Sequence, residues 1–498
     1  MTKKLKTGSK ILFVASEASP FIKVGGLGEV MNSLPKALRN LGYDARVMIP
    51  KYALIDTEKF HLSPELEGIR PKTDDEDPSG LLVCNILKYE EENKTLAYFL
   101  ENMEYYEKRA NVYGYSDDTL RWILLSFGVL EFVKKSKWKP DIIVSADWQA
   151  GFVPDLIKTV YKDDPIISKI PTLFSIHNLR FQGMFDPQFV SEMNFDAGKQ
   201  VITNLFDPNI SNLNGMRRGI MFADAVNTVS PTYAREILTS DFGEKLDELL
   251  KERQTRLFGI LNGIDYKGLN PSTDQSITAN YSAKNFGNRS KNKIELQKRF
   301  NLAQDENAFL LGIVSRMDEQ KGFDLITQII NPLFENVDFQ LVVLGDGDNN
   351  YKTFFKDLET RFPGRVGTHL VFDGTLPRMI FSGADAMLVP SKFEPCGLVQ
   401  LEAMRYGAVP IVRKVGGLAD SVSDFDPETK KGTGFVFDKY DPFSFLIAVI
   451  RARETFREKK QWAKIIKNAM NRDSSWEKSA DEYLQVFKTA RDFHDQKI

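Results

Sequence analysis

The sequence predicts an α/β protein of two Rossmann-like domains facing across a cleft. Three observations carry this reading: the length, a regular alternation of short apolar runs with longer amphipathic stretches, and a glycine-rich string found once in each half. At 498 residues the chain is too long for one compact core, and α/β domains of about 200 to 250 residues would make it two. Hydrophobic residues at 42% and charged residues at 27% are those of a globular protein, which excludes a disordered or collagen-like chain. Lys and Arg number 66 against 68 Asp and Glu, so the net charge of −2 gives no reason to expect nucleic acid or an anionic membrane as partner.

Only Cys84 and Cys396 are present, with four histidines, which cannot build a disulfide framework or a cysteine-based zinc site. A reducing cytoplasm is the expected compartment. The start of the chain is basic, but the apolar run behind it ends before Glu17, which fits a strand and not a secretion signal. No stretch approaches the roughly 18 apolar residues that span a bilayer.

The apolar runs at 11–15, 141–145, 172–176, 225–229, 309–314, 339–344, 386–389 and 409–412 read as buried parallel strands. Stretches with helical spacing lie between them, at 120–135, 231–238 and 323–334. The polar stretch 270–293 breaks the pattern and precedes a helix at 294–300, so the domain junction is placed just before it, near Gly259. This gives domains at 1–258 and 259–475, followed by a last helix at 476–498.

The repeated string is Lys23-Val24-Gly25-Gly26-Leu27 in the first half and Lys414-Val415-Gly416-Gly417-Leu418 in the second. Each copy follows a predicted strand and precedes a helix. A Gly-Gly turn there lets backbone N–H groups approach an anion at the positive end of the helix, with a lysine beside it. Two such loops suggest a cleft lined from both sides, since ligands of open α/β sheets sit at the carboxyl ends of the strands.

The richest segment, 391–422, begins S-K-F-E-P-C-G-L-V. Glu394 ends a strand, Pro395 stiffens the loop, Gly397 is expected to open a helix whose free N–H groups suit phosphate, and Glu402 follows about two turns in. This pattern resembles the E-x7-E signature of retaining glycosyltransferases of the GT-B fold. The resemblance extends along nearly the whole chain to glycosyltransferase family 5, the glycogen and starch synthases. The blocks carrying it are S-E-A-S-P-F-I-K-V-G-G-L-G-E-V, F-L-E-N-M-E-Y-Y, V-Y-G-Y-S-D-D, A-D-W-Q-A-G, S-I-H-N-L-R-F-Q-G-M-F, V-N-T-V-S-P-T-Y, G-I-L-N-G-I-D-Y, V-S-R-M-D-E-Q-K-G-F-D-L, G-T-G-F-V-F-D and D-S-S-W-E-K-S-A, in the family's order.

The resemblance implies transfer of glucose from ADP-glucose to the non-reducing end of an α-1,4-glucan with retention, and UDP-glucose stays open as donor. It implies no metal and no other cofactor, the sugar nucleotide being a cosubstrate. It assigns Arg316 and Lys321 to the leaving diphosphate, where cations gain strength as the bond breaks. Glu394 would hold the glucose hydroxyls, and His177 would shape the pocket at the sugar. Lys23, Gly25, Gly26, Asn262, Cys396, Gly397, Leu398 and Val399 would bind the donor, and Glu402 its ribose. Asp147 would contact the acceptor glucan. Domain closure would bring Lys23 and His177 toward Arg316, Lys321 and Glu394. A plastid is the alternative compartment should this be a mature plant or algal chain, and the oligomeric state is not readable.

The sequence departs from the family at four places. Ala146 stands where His usually precedes Asp-Trp, Glu29 where Asp is common, Glu402 where Tyr or Gln is frequent, and Leu269 where Trp is common. Three rival readings stand beside this resemblance: a metal-dependent transferase using Asp346-Gly347-Asp348, a glucan-binding protein that kept the fold and lost the chemistry, and a transferase making a small disaccharide or a cell-wall glycan, which would share the signature of the second half but give no reason for the F-Q-G-M-F and Y-G-Y blocks of the first.

Overall fold

The computed structural model describes residues 5–71, 82–91, 95–183, 196–202, 205, 210 and 212–496. Met184 and Phe185, which end the F-Q-G-M-F block, lie outside them. Contacts divide the chain into two compact units, one of residues 1–229, 234–260 and 476–498, the other of 230–233 and 261–475.

The first unit is built on strands β1 (Lys10–Val14), β2 (Asp44–Pro50), β3 (Ser63–Ile69), β4 (Cys84–Tyr89), β5 (Leu96–Glu101), β6 (Ile142–Ala146), β7 (Thr172–Ile176), β8 (Ala225–Thr228) and β9 (Leu257–Gly259). Among the described residues they form one sheet in the order β3-β4-β5-β2-β1-β6-β7-β8-β9. The pairs β3–β4 and β4–β5 are antiparallel and the rest parallel. Ile11, Leu12, Phe13 and Val14 have no exposed surface, because a central parallel strand is covered on both faces.

The helix Trp476–Asp495 belongs to this unit and lies against β7 and β8. Its Tyr483, Leu484 and Phe487 are buried on one face; Phe487 meets Phe13 at 6.4 Å between ring centroids, and Asn227 donates to the Tyr483 hydroxyl at 3.1 Å. Its last turn is tied down by Asp224, which forms an ion pair with Lys158 at 3.0 Å and is hydrogen bonded to His494 Nδ1 at 3.0 Å. The ionic tie is enclosed by the fold, so removing one partner would strand a buried charge.

The second unit holds strands β10 (Leu310–Val314), β11 (Gln340–Leu344), β12 (Val366–His369), β13 (Ala386–Val389), β14 (Val409–Arg413) and β15 (Phe435–Phe437). They pair parallel throughout in the order β12-β11-β10-β13-β14-β15. Numbered from the unit's own first strand this is 3-2-1-4-5-6, the Rossmann order. The order reverses between β10 and β13 here, and between β1 and β6 in the first unit. Those switch points are where a doubly wound sheet opens a crevice for a ligand.

Two expected elements shift. The helix expected at 294–300 runs Arg289–Arg299, because the polar residues ahead of it are used rather than solvated: Asn292 exchanges hydrogen bonds with the Ala279 backbone at 2.8 and 2.9 Å. The helix expected to open at Gly397 runs Val399–Arg405, so Glu402 stands in its first turn instead of two turns in.

Candidate active site

In the second unit, Arg316 and Lys321 follow β10 and the 391–399 loop follows β13, so they meet at the switch point. Lys321 Nζ lies 2.7 Å from Glu394 Oε2, and the Ser391 hydroxyl donates to the same oxygen at 3.0 Å. Glu394 is buried, and its bonded oxygen is thus held between a cation and a hydroxyl. A shielded pair of this kind stays rigid where an exposed one would not. Arg316 is 68% exposed at its side chain and pairs with Asp318 at 3.4 Å, a contact weak enough to be exchanged for a ligand.

The loop after Glu394 turns through Gly397, whose φ of +72° favours glycine. Among the described residues the N–H groups of Gly397, Leu398 and Val399 donate to no other group of the protein, and all three residues are half-buried. They stand at the start of the helix Val399–Arg405, where the orphan amides and the helix dipole both favour an anion. Cys396 lies just behind them. Burial pushes its thiol up to about 12, so it is a neutral packing group and not a thiolate nucleophile. The Asn262 backbone N–H is hydrogen bonded to that thiol, and the Asn262 side-chain oxygen is buried without a partner among the described residues. Glu402 is half-buried in the first turn of the helix.

In the first unit, the Lys23 loop follows β1 and Asp147 follows β6. Gly26 is the first residue of the helix Gly26–Asn40, with Lys23 to Gly26 exposed. The Gly25 amide, read from the sequence as open to an anion, already donates to the Glu17 carboxylate at 2.9 Å, and Val24 N–H donates to the same group. Lys23 Nζ pairs with Glu29 at 3.3 Å, and Glu29 also accepts from Ser33 at 2.9 Å.

Asp147 was assigned to the acceptor, and its Oδ1 accepts the His177 N–H at 2.7 Å and the Asn178 N–H at 3.4 Å. It therefore fixes the turn that carries His177. Burial raises the Asp147 carboxyl to about 7 against the lowering effect of those two amides, and nearby Glu17 adds to the rise. Burial moves His177 the other way, to about 4, so the ring is neutral at pH 7; its Nε2 lies 3.1 Å from the Ser175 hydroxyl. Trp148 is buried edge-on to Trp122 at 6.1 Å, and the Tyr113 hydroxyl bonds to Ser16 at 2.8 Å, both as packing groups.

The second copy of the repeated string corrects the symmetrical reading of the two loops. Gly416, Gly417 and Leu418 are buried, and the Gly417 N–H donates to the Glu394 carbonyl at 3.0 Å. It is a buttress for the 394–399 loop, with no amide offered to a ligand at Gly417. Of the acids weighed for a metal, Asp346 pairs with Lys352 at 2.7 Å and Asp348 caps the helix Asn349–Arg361. No group of three or more His, Cys, Asp or Glu that could hold a metal occurs among the described residues.

Sequence reasoning passed over Glu17 and Ser391, which hold the Lys23 loop and Glu394. Glu17 carried a signal, since it is an acid two residues beyond the apolar run 11–15, where only a bonded carboxylate survives burial. Ser391 carried none.

Two family profiles cover the chain: "Starch synthase catalytic domain" matches residues 10–252 and "Glycosyl transferases group 1" matches 295–472. A glycogen synthase of Clostridium botulinum is 42% identical over 488 residues, 96% of this chain and 99% of its own length. One from Thermotoga maritima is 41% identical over 491 residues, 97% of this chain and 99% of its own. Among solved structures, the catalytic domain of starch synthase IV from Arabidopsis thaliana, bound to ADP and acarbose, superposes with a TM-score of 0.83 at 30% identity, over 97% of this chain and 100% of that one. Sucrose-phosphate synthase from Thermosynechococcus elongatus shares the fold, with a TM-score of 0.59 at 17% identity over 96% of this chain and 98% of that one.

Proposed function

Because the chain belongs to the glycogen and starch synthase family, GT-B glycosyltransferases that carry out glucosyl transfer in glycogen or starch synthesis, we propose that its donor is ADP-glucose and that Arg316, Lys321 and the amides of Gly397, Leu398 and Val399 receive the donor's diphosphate. One observation carries the reading: three open N–H groups at a helix start, beside the Lys321–Glu394 pair at 2.7 Å, at the switch point of a parallel sheet. The ADP in the Arabidopsis structure supports the choice of nucleotide. Asn262 and the backbone at Cys396 line the same loop, and Glu402 is assigned to the ribose. In the first unit we assign Lys23, Gly25 and Gly26 to the donor, His177 to the sugar, and Asp147 to the glucan side through the turn it holds. No metal is assigned a role. With no described helix long and apolar enough to cross a membrane, and with relatives from bacteria, we place the enzyme in the cytoplasm.

The chemistry follows from charge. As the bond from the anomeric carbon to phosphate opens, its electron pair stays with the diphosphate oxygen, and fixed cations and amides stabilise that growing charge. The same oxygen takes the proton of the acceptor 4-hydroxyl, whose oxygen forms the new bond on the face the phosphate left, so configuration is retained. Glu394 is assigned to holding the donor glucose and not to nucleophilic attack, with its Oε2 engaged by Lys321 and Ser391. This separates it from the two-carboxylate scheme of retaining glycosidases.

The test is nucleotide release from ADP-glucose or UDP-glucose with a maltooligosaccharide acceptor. ADP-glucose is the preferred donor, excess chelator leaves the rate unchanged, and Glu394→Ala lowers turnover about a thousandfold. Preference for UDP-glucose would overturn the donor, and a trapped glucosyl–Glu394 adduct would overturn the mechanism.

A further inference from the structure

Gln400 is wholly buried, one residue beyond the last open amide, and takes no part in the chemistry above. Its Nε2 donates to the Cys396 carbonyl at 3.1 Å, to the Gly397 carbonyl at 2.9 Å and to the Ser421 hydroxyl at 3.0 Å. Three acceptors around one nitrogen fix which way the amide faces. The Ser421 hydroxyl spends its own hydrogen on the Gly417 carbonyl at 2.6 Å, and the Gly417 N–H reaches the Glu394 carbonyl at 3.0 Å. A closed circuit of bonds thus runs around the loop, from Gln400 through Ser421 and Gly417 to Glu394.

In a planar trans peptide the C=O and the following N–H point in opposite directions. By drawing the carbonyls of Cys396 and Gly397 inward, Gln400 turns the N–H groups of Gly397 and Leu398 outward. The geometry points to Gln400 as a positioning residue that aims these two amides at the donor's diphosphate and so sets donor affinity. The inference rests on the reading of this loop as the diphosphate site.

Gln400→Glu keeps the shape of the side chain, removes its N–H donors at neutral pH and sets a carboxylate against two carbonyls. Gln400→Met removes the donors without adding charge. Calorimetric titration with ADP, run beside steady-state kinetics, should show the ADP Kd and the ADP-glucose KM rising about tenfold or more in both variants, with the KM for glucan unchanged. Ser421→Ala, in which Gln400 keeps both carbonyls, should bind ADP as the wild type does. If folded Gln400 variants bind ADP within about twofold of wild type, or if the glucan KM rises in step, the inference is overturned. Should neither Gln400 variant fold, weakened ADP binding by Ser421→Ala would overturn it and unchanged binding would support it. A wild-type protein that does not bind ADP would instead sink the diphosphate reading itself.

Discussion

At residues 23–27 the string Lys-Val-Gly-Gly-Leu lies on the surface: Val24 is 61% exposed, and Gly25 and Gly26 are open. At 414–418 the same string turns inward after its exposed lysine: Val415 is buried and Gly417 packs under the Cys396 carbonyl. The difference lies in the approach. Residues 15–22 separate the first copy from the end of β1, and within that slack Glu17 folds under the loop to bind its amides. The second copy starts directly after β14 ends at Arg413, so it is pinned to the sheet and used as packing. Identical letters at matching places in two Rossmann-like units therefore serve different ends, and the slack before them decides which.

The largest effect separating the copies is expected at their glycines. In Gly417→Ala the new Cβ would stand 2.0 Å from the Cys396 carbonyl oxygen, and backbone cannot retreat as a side chain can. The cost should be about 3 kcal/mol, lowering the thermal midpoint by roughly 6 to 12 °C. Gly26→Ala meets nothing within 4 Å and should stay within about 0.5 kcal/mol of wild type. Equal losses in calorimetry would break the comparison.

The lysines come next. Lys23→Ala should lower kcat/KM for the donor about 10- to 100-fold, the loss of a charge-assisted contact to phosphate. Among the described residues Lys414 pairs with exposed Asp438 at 3.5 Å and with no other acid, so Lys414→Ala should leave kinetics and stability unchanged. A donor defect in the second variant would show that both copies face the nucleotide.

The smallest effect sharpens the account of the first unit alone. Asp147 titrates at about 7 in the folded protein and about 3.9 in the unfolded chain, so the folded state binds its proton more tightly. Its contribution is fully favourable at low pH and is lost as pH rises through 7. His177 is held at about 4, below its unfolded value of about 6.5, so its contribution is present at neutral pH and lost as pH falls through 4. Urea denaturation should therefore find Asp147→Asn stabilising relative to wild type at pH 8 more than at pH 5. A difference independent of pH would contradict the raised carboxyl.

The sheets were the most legible part of the molecule, because parallel strands covered on both faces must read as unbroken apolar runs, as 11–14 and 310–313 do. Half-covered β3, whose residues are mostly exposed, escaped that pattern, and β2, β4, β5, β9, β12 and β15 were not singled out either. The site residues that align with a family motif could be named, but their bonds could not. Lys321 and Glu394 are 73 residues apart and are joined only by the adjacency of β10 and β13. Gln400 is invisible for a related reason. A polar residue on the inward side of a helix looks like a mispatterned position until the carbonyls it satisfies are seen. The two string copies mark the same limit, since burial of the second depends on a neighbour, Cys396, far from it in sequence.

The mechanism turns on where the leaving group sits, and a crystal structure with ADP bound tests that directly. The diphosphate should lie about 3 Å from Lys321 Nζ and from the Leu398 amide, with the Gly397 N–H facing it. A diphosphate that touches none of Arg316, Lys321 and residues 397–399 would contradict the account.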